Sequence, residues 1–350
     1  MMGFLLSREG GRSSRIVLLL PFAVLLVAIA AYTAYWIYAA GEIRKWADAW
    51  IAEQELAGYE IGHGPMRVGG YPLRFTLDVR DPDIAAPPAD GGWQARFSRL
   101  SASAMPWNFN HWIVTLGGPM TLAAEAGGRP ALYEASAALA RLSINSSRAG
   151  TQRIGIELEQ AALDAIEGPE PALSRLDSLA LTAEINGEDR LTARFEALGV
   201  DFAPAILPPR LAAVFGTEAG ALRFDGAVTQ WSALAREGDA ADWAAARGEL
   251  LVRAAELDWG PADLGGTGEL GLDAALRPAG RLSVVIADPD SLVDAMVEAG
   301  LVEPGQGDAL RLAAMMAPRR DAGIALPLRF QDGGIFLGPA RIGSVGPVAG

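Results

Sequence analysis

Hydrophobic and polar positions follow three different rhythms along the chain. From Ile16 to Ala40 no charged residue occurs, and the run IVLLLPFAVLLVAIAAYTAYWIYAA is apolar almost throughout. A helix of that length spans about 37 Å, enough for a hydrocarbon core of ~30 Å with some tilt. Pro21 falls in its first third, where a membrane helix tolerates it. Tyr32, Tyr35, Trp36 and Tyr38 crowd the far end, where amphipathic rings favour the headgroup layer. The second rhythm is helical and amphipathic. Between Glu42 and Leu56, residues Ile43, Trp46, Trp50 and Ile51 share one stripe with charges opposite, and Gly58 ends the pattern.

The third rhythm has period two. Leu73, Phe75, Leu77 and Val79 alternate with Arg74, Thr76, Asp78 and Arg80, which predicts a half-buried strand after the Gly69-Gly70 turn. Further strands are expected over 93–104, 112–116, 132–144, 153–160, 178–185, 190–198, 221–228, 249–259, 269–276 and 281–287. Short segments rich in Gly, Pro, Asn or Asp separate most of them. Such spacing indicates antiparallel sheets and not a doubly wound fold. Near the end two helices interrupt. Asp288 caps the first, with Pro289 at its first position and Gly300 closing it; the second runs from Asp308 to Met316. A last hairpin turns at Gln331-Asp332-Gly333, and short helices are expected at 208–215 and 239–247.

The fold class is therefore mainly β with some α: antiparallel sheets in an exported region behind one N-terminal transmembrane helix. Residues 1–15 form a cytoplasmic N-terminus, 16–40 the transmembrane helix, 41–58 a linker helix, and 59–350 the exported region. A candidate break into two sub-domains lies near 200–220. Arg8, Arg12 and Arg15 precede the apolar run, and the positive-inside bias points the N-terminus to the cytoplasm of a bacterial inner membrane and the bulk of the chain to the periplasm. The competing reading is a cleaved signal peptide with Ala28-Ile29-Ala30 as its site. Its h-region would normally stop sooner than this run does.

Composition narrows the chemistry. Net charge is −13, and because residues 1–15 carry +2 the remainder holds −15. Without a basic stripe to displace counterions, no nucleic-acid partner is expected. Zero cysteine removes disulfides, thiolate metal sites and cysteine nucleophiles. The chain has two histidines, His63 and His111, and neither stands in a metal-ligand spacing, so no metal and no cofactor is expected. Gly266-Thr267-Gly268-Glu269-Leu270-Gly271 has the G-x-G-x-x-G spacing but lacks a following helix, and its glycines read as turn residues.

Three motifs carry a resemblance. They are Gly69-Gly70-Tyr71-Pro72-Leu73-Arg74-Phe75, Pro106-Trp107-Asn108-Phe109-Asn110-His111-Trp112, and Leu326-Pro327-Leu328-Arg329-Phe330-Gln331-Asp332-Gly333-Gly334. With an apolar helix upstream, the chain resembles an uncharacterised family of alphaproteobacterial envelope proteins, the domain-of-unknown-function family numbered 2125, from about Ile37 to Ile342. Phe109 stands where that family more often has proline. The family brings no assigned activity or catalytic residue. More loosely, the strand-rich C-terminal part resembles AsmA-type envelope proteins, which implies a link to lipid transport and outer-membrane homeostasis.

The densest polar–aromatic constellation is Trp107, Asn108, Asn110, His111 and Trp112, a candidate contact for a ligand or partner. Its plainer reading is a structural corner with capping amides and core indoles. The expected role is a non-catalytic, membrane-anchored periplasmic protein in lipid handling or envelope assembly. The bilayer is its partner through 16–40, with a lipid or another envelope protein beside it. The rival is a periplasmic hydrolase using His111 with a nearby carboxylate.

Overall fold

A computed structural model describes residues 13–147, 150–204, 206–235, 240–320 and 323–348. Helix α1 (Ser13–Leu56) passes through Gly41 without a break, so the apolar run and the amphipathic segment are one rod. Gly41 has open space where a side chain would stand. Its helix penalty of about 1 kcal/mol is offset by the good helix formers on either side, Ala39, Ala40 and Glu42.

Beyond α1 the chain lays down strands in order. Strands β1 (Glu60–Gly62) and β2 (Met66–Gly69) form the first row. Strands β3 (Phe75–Arg80) and β4 (Asp83–Ala85) form the second, broken at Asp81-Pro82. Each half of the first row pairs with one half of the second, and both halves of the second pair with β5 (Gln94–Met105). Strand β6 (Asn108–Ala126) lies next. Its two ends pair with β7 (Arg129–Ser136) and β8 (Leu139–Ser146), which together face β9 (Gln152–Glu167). Then β10 (Leu173–Asn186), β11 (Arg190–Phe202), β12 (Glu218–Thr229), β13 (Leu250–Trp259), β14 (Ala262–Leu272) and β15 (Pro278–Ile286) follow, each paired with the one before. Short β16 (Arg319–Arg320) pairs with β17 (Gly323–Gln331), which also pairs with β15; β18 (Gly334–Leu337) and β19 (Ala340–Ser344) close the series. Every one of these pairings is antiparallel, as the alternation predicts. Strands β11 and β12 stay in register from Arg190↔Thr229 to Asp201↔Glu218.

Among the described residues five further α-helices fill connections: α2 (Pro209–Phe215), α3 (Trp231–Ala235), α4 (Ala240–Ala245), α5 (Pro289–Glu298) and α6 (Pro304–Met316). Asp288 caps α5 by accepting from the Ser291 N–H, as expected. Helix α6 starts four residues before its expected Asp308, because Glu303 and Gln306 form a capping box there. The end of the expected 239–247 helix at Asp239 lies outside the described residues.

Several boundaries differ from the expected ones. The 112–116 strand is the middle of the much longer β6, since Gly117-Gly118-Pro119 is not a turn but a bulge inside the strand. There Gly118 has φ 77°, and the register against β5 shifts between Phe97 and Arg99. Gly266 to Gly271, expected as turn glycines, lie within β14. A Cβ on Gly268 would stand 2.2 Å from the Arg281 carbonyl oxygen, so close backbone approach is what requires glycine there.

The sheet is one layer for most of its width. Total accessible area is 22378 Å², against about 13,500 Å² for a compact monomer of this mass. The excess comes from α1, whose apolar half stands free, and from sheet faces that no described residues cover. Among the described residues, Phe75 and Val200 are the large side chains with essentially no exposure. Phe75 belongs to a cluster in which Trp36, Ala39, Ile43 and Ala47 of α1 cover Leu77, Val79 and Met66 of the first strands. Val200 belongs to a second cluster with Leu176, Ala197 and Ala219, bordered by Phe202 and Trp259. Phe215 of α2 lies over Trp259, with ring centroids 5.2 Å apart.

Candidate functional site: a continuous apolar sheet face

Cross-strand partners on an antiparallel sheet share a face, so the register assigns every strand residue to one side. One rung crosses the molecule through Val68, Leu77, Ala102, Val114, Leu142, Ile156, Leu181, Phe195, Phe224, Ala255, Gly266, Val284 and Leu326. None of these residues is polar. At about 4.8 Å per strand the rung measures roughly 58 Å along the sheet. From Ala102 to Leu326 every member is partly exposed, so this face is neither a dry core nor a solvated surface.

One residue out of phase, the opposite rung runs Arg67, Asp78, Ser101, Thr115, Arg141, Glu157, Ala180, Glu196, Arg223, Glu256. Ion pairs stitch it together. Arg99 donates to Asp78 at 2.6 Å, and Arg223 to Glu196 at 2.7 Å and Glu256 at 3.0 Å. Asp225 accepts from Arg194 at 2.7 Å and from Arg253 at 2.8 Å. The Arg99 guanidinium holds the Asp78 carboxyl below its ordinary range, and Arg194 with Arg253 does the same to Asp225. This face is at home in water, and the other is not.

The apolar face is concave where β6 to β10 meet. A groove of ≈ 330 Å³ opens there, walled by Leu116, Met120, Leu122, Leu158, Leu173 and Leu176. Ala135, Ala140, Ala161 and Ala162 floor it. Small residues below large ones leave room for a chain-like apolar guest. A second groove of ≈ 530 Å³ lies between α1 and the start of β6, lined by Tyr35, Tyr38, Ile43, Trp46, Phe109 and Trp112. Trp112 pairs with Ala104 and Ile144 on the apolar face. The helix groove therefore opens onto the same face.

The structure divides the predicted polar–aromatic cluster. Trp107 stands exposed at the tip of the β5–β6 turn, and Asn108 and Asn110 are exposed beside it. Trp112 donates from its indole N–H to the Phe109 carbonyl at 2.9 Å and faces the apolar side. His111 faces the polar side, with Nε2 3.0 Å from Ser143 Oγ. Its cross-strand partner is Asn145, an amide where a catalytic triad requires a carboxylate. His63 contacts the neighbouring Gly64 carbonyl on an exposed loop. Among the described residues no group of three His, Asp or Glu is placed to hold a metal ion. The groove residues on β6, β9 and β10 were not among the sequence candidates. Their alternation is visible in the sequence, but whether anything covers them is not.

The family model described as "Uncharacterized protein conserved in bacteria (DUF2125)" matches residues 36–346. No curated protein and no solved structure matches the chain.

Proposed function

The chain belongs to the DUF2125 family of uncharacterised bacterial proteins, and from that footing we propose that it is a non-catalytic, membrane-anchored envelope protein that carries lipid acyl chains on its apolar sheet face. The observation that carries this reading is the apolar rung from Val68 to Leu326, uncovered for most of its length and opposite a face laced with ion pairs. At about 25 cal/mol per Å², apolar area left in water forgoes stabilisation that a covering occupant would recover. Acyl chains match the face's lack of hydrogen-bonding groups.

Helix α1 is long and apolar enough to cross a membrane. Three arginines before it, against Arg44 and Lys45 after it, support an N-terminus in the cytoplasm and the sheet in the periplasm of an inner membrane. The groove between α1 and Trp112 supplies an apolar route from the bilayer to the sheet. The net negative charge opposes long-range attraction to anionic headgroups, so binding rests on apolar burial. Against a hydrolase stand the open, flat setting of His111 and Ser143 and the amide of Asn145 beside them.

The test is photocrosslinking of the full chain in nanodiscs whose phospholipids carry a diazirine on the acyl chain. Peptides from β9 and β10 should be labelled together with those of α1. Labelling confined to α1 would refute lipid carriage on the sheet.

A further inference from the structure

We propose that the exported sheet rests in the bilayer surface itself, with the Tyr71–Leu73 and Met105–Trp107 turns inserted into the leaflet that α1 leaves. This rests on α1 crossing a bilayer, but not on lipid carriage by the sheet. Three hydrogen bonds fix the turns against the helix. Tyr32 donates to the Pro72 carbonyl, the Thr33 and Tyr71 hydroxyls meet at 2.8 Å, and Tyr35 donates to the Pro106 carbonyl at 3.0 Å. Counting from Ile16 at 1.5 Å per residue, Tyr32 lies about 24 Å and Tyr35 about 28 Å along α1. A hydrocarbon core is ~30 Å thick. The turns therefore sit at the depth where acyl chains give way to headgroups, not above the membrane on a stalk.

Their chemistry fits that depth. Leu73 is 66% exposed and Trp107 71%, with Tyr71 and Met105 also projecting. In water these would be a costly patch; at the interface, Tyr and Trp rings are favoured. The same edge of the sheet carries the β10–β11 turn, Gly187-Glu188-Asp189, which is polar and acidic. Apolar turns occur beside α1 and give way to charged ones farther along the sheet. The occupant is thus the leaflet around α1, and not a second protein that would contact the whole edge.

The chain contains no cysteine, so single nitroxide labels report cleanly. Leu73→Cys and Trp107→Cys, each in the full chain in nanodiscs, should collide with oxygen in preference to an aqueous nickel chelate. Leu25→Cys in α1 gives the membrane reference, and Gly187→Cys gives the aqueous one. Values at both turns nearer to Leu25 than to Gly187 support insertion. Values at both turns equal to Gly187, with Leu25 oxygen-rich, overturn it and leave the anchor standing. Aqueous values at all four positions overturn the anchor and the insertion together.

Discussion

Trp36 of the N-terminal helix α1 stacks on Phe75 of the sheet, with ring centroids 5.0 Å apart and planes 17° from parallel. Phe109 continues the stack on the other side of Phe75, at 5.4 Å. Phe75 is thus the pin between α1 and the first two hairpins. Replacing it removes two ring contacts and leaves a cavity that neighbouring strands cannot close. Phe75→Ala is expected to cost about 3–5 kcal/mol. Thermal unfolding of the full chain in nanodiscs should show a drop of several degrees; an unchanged midpoint would mean that helix and sheet are not joined there.

The groove makes a contrasting pair. Leu158→Arg puts a charge on the wall of the β6–β10 groove, while Glu157→Gln alters the adjacent residue on the opposite face. Leu158→Arg should abolish diazirine-lipid labelling of β9 and β10, and Glu157→Gln should leave it intact. Equal labelling of the two variants would place the lipid elsewhere.

The glycine motif in β14 separates two explanations by substitution. A Cβ on Gly268 would overlap the Arg281 carbonyl oxygen, whereas one on Gly266 would meet Ala255 Cβ at 3.7 Å, an ordinary contact. Gly268→Ala should destabilise by about 1–3 kcal/mol through forced backbone displacement, and Gly266→Ala should be close to neutral. Denaturant titration of both variants decides it. Neither should alter nucleotide binding, because β14 continues as a strand where a pyrophosphate site needs a helix N-terminus.

The ion-pair face predicts the acid response. Asp78 and Asp225 have their pKa depressed by arginine partners. Such groups add stability that is fully present above the ordinary carboxylate value of about 4 and is lost as pH falls through the lower folded value. The unfolding midpoint should therefore be flat between neutrality and about pH 5 and decline below about pH 4. Asp225→Asn should flatten part of that decline. The arginine partners are solvent-exposed and the carboxylates partly so, so the effect is small and should shrink further in high salt. A decline unaffected by Asp225→Asn would assign the acid response to other carboxylates.

Much of the architecture is legible in the residues themselves. Alternation at Phe75 to Val79 and at Ser178 to Ile185 names the strands, because period two on a pleated backbone leaves no other half-buried solution, although Leu73, expected in the first of them, lies exposed in the turn before it. Asp288-Pro289 marks a helix start through capping chemistry alone. Strand lengths are harder. Gly117-Gly118-Pro119 is written like a turn, and only pairing with Phe97 and Arg99 on β5 makes it a bulge. The Trp107–Trp112 cluster looks like one constellation in sequence, yet consecutive strand residues face opposite sides, which sends His111 and Trp112 apart. Cover is the least legible property. Alternation says that Leu158 and Leu181 share an apolar face, but a second sheet, a helix or a lipid would leave the same pattern.

The strand order has a consequence for how the molecule is made. Since each row neighbours the one before it in sequence, hairpin by hairpin from β2 to β19, few pairings wait for distant parts of the chain. A growing chain can add each new strand to an edge already formed, much as a repeat array propagates from its first unit. Growth begins beside α1, where Phe75 and Trp36 supply the densest packing in the first hairpins. The sheet is in effect a ribbon paid out from the N-terminal helix, and its length is set by how many hairpins the gene encodes, not by the size of a closed core.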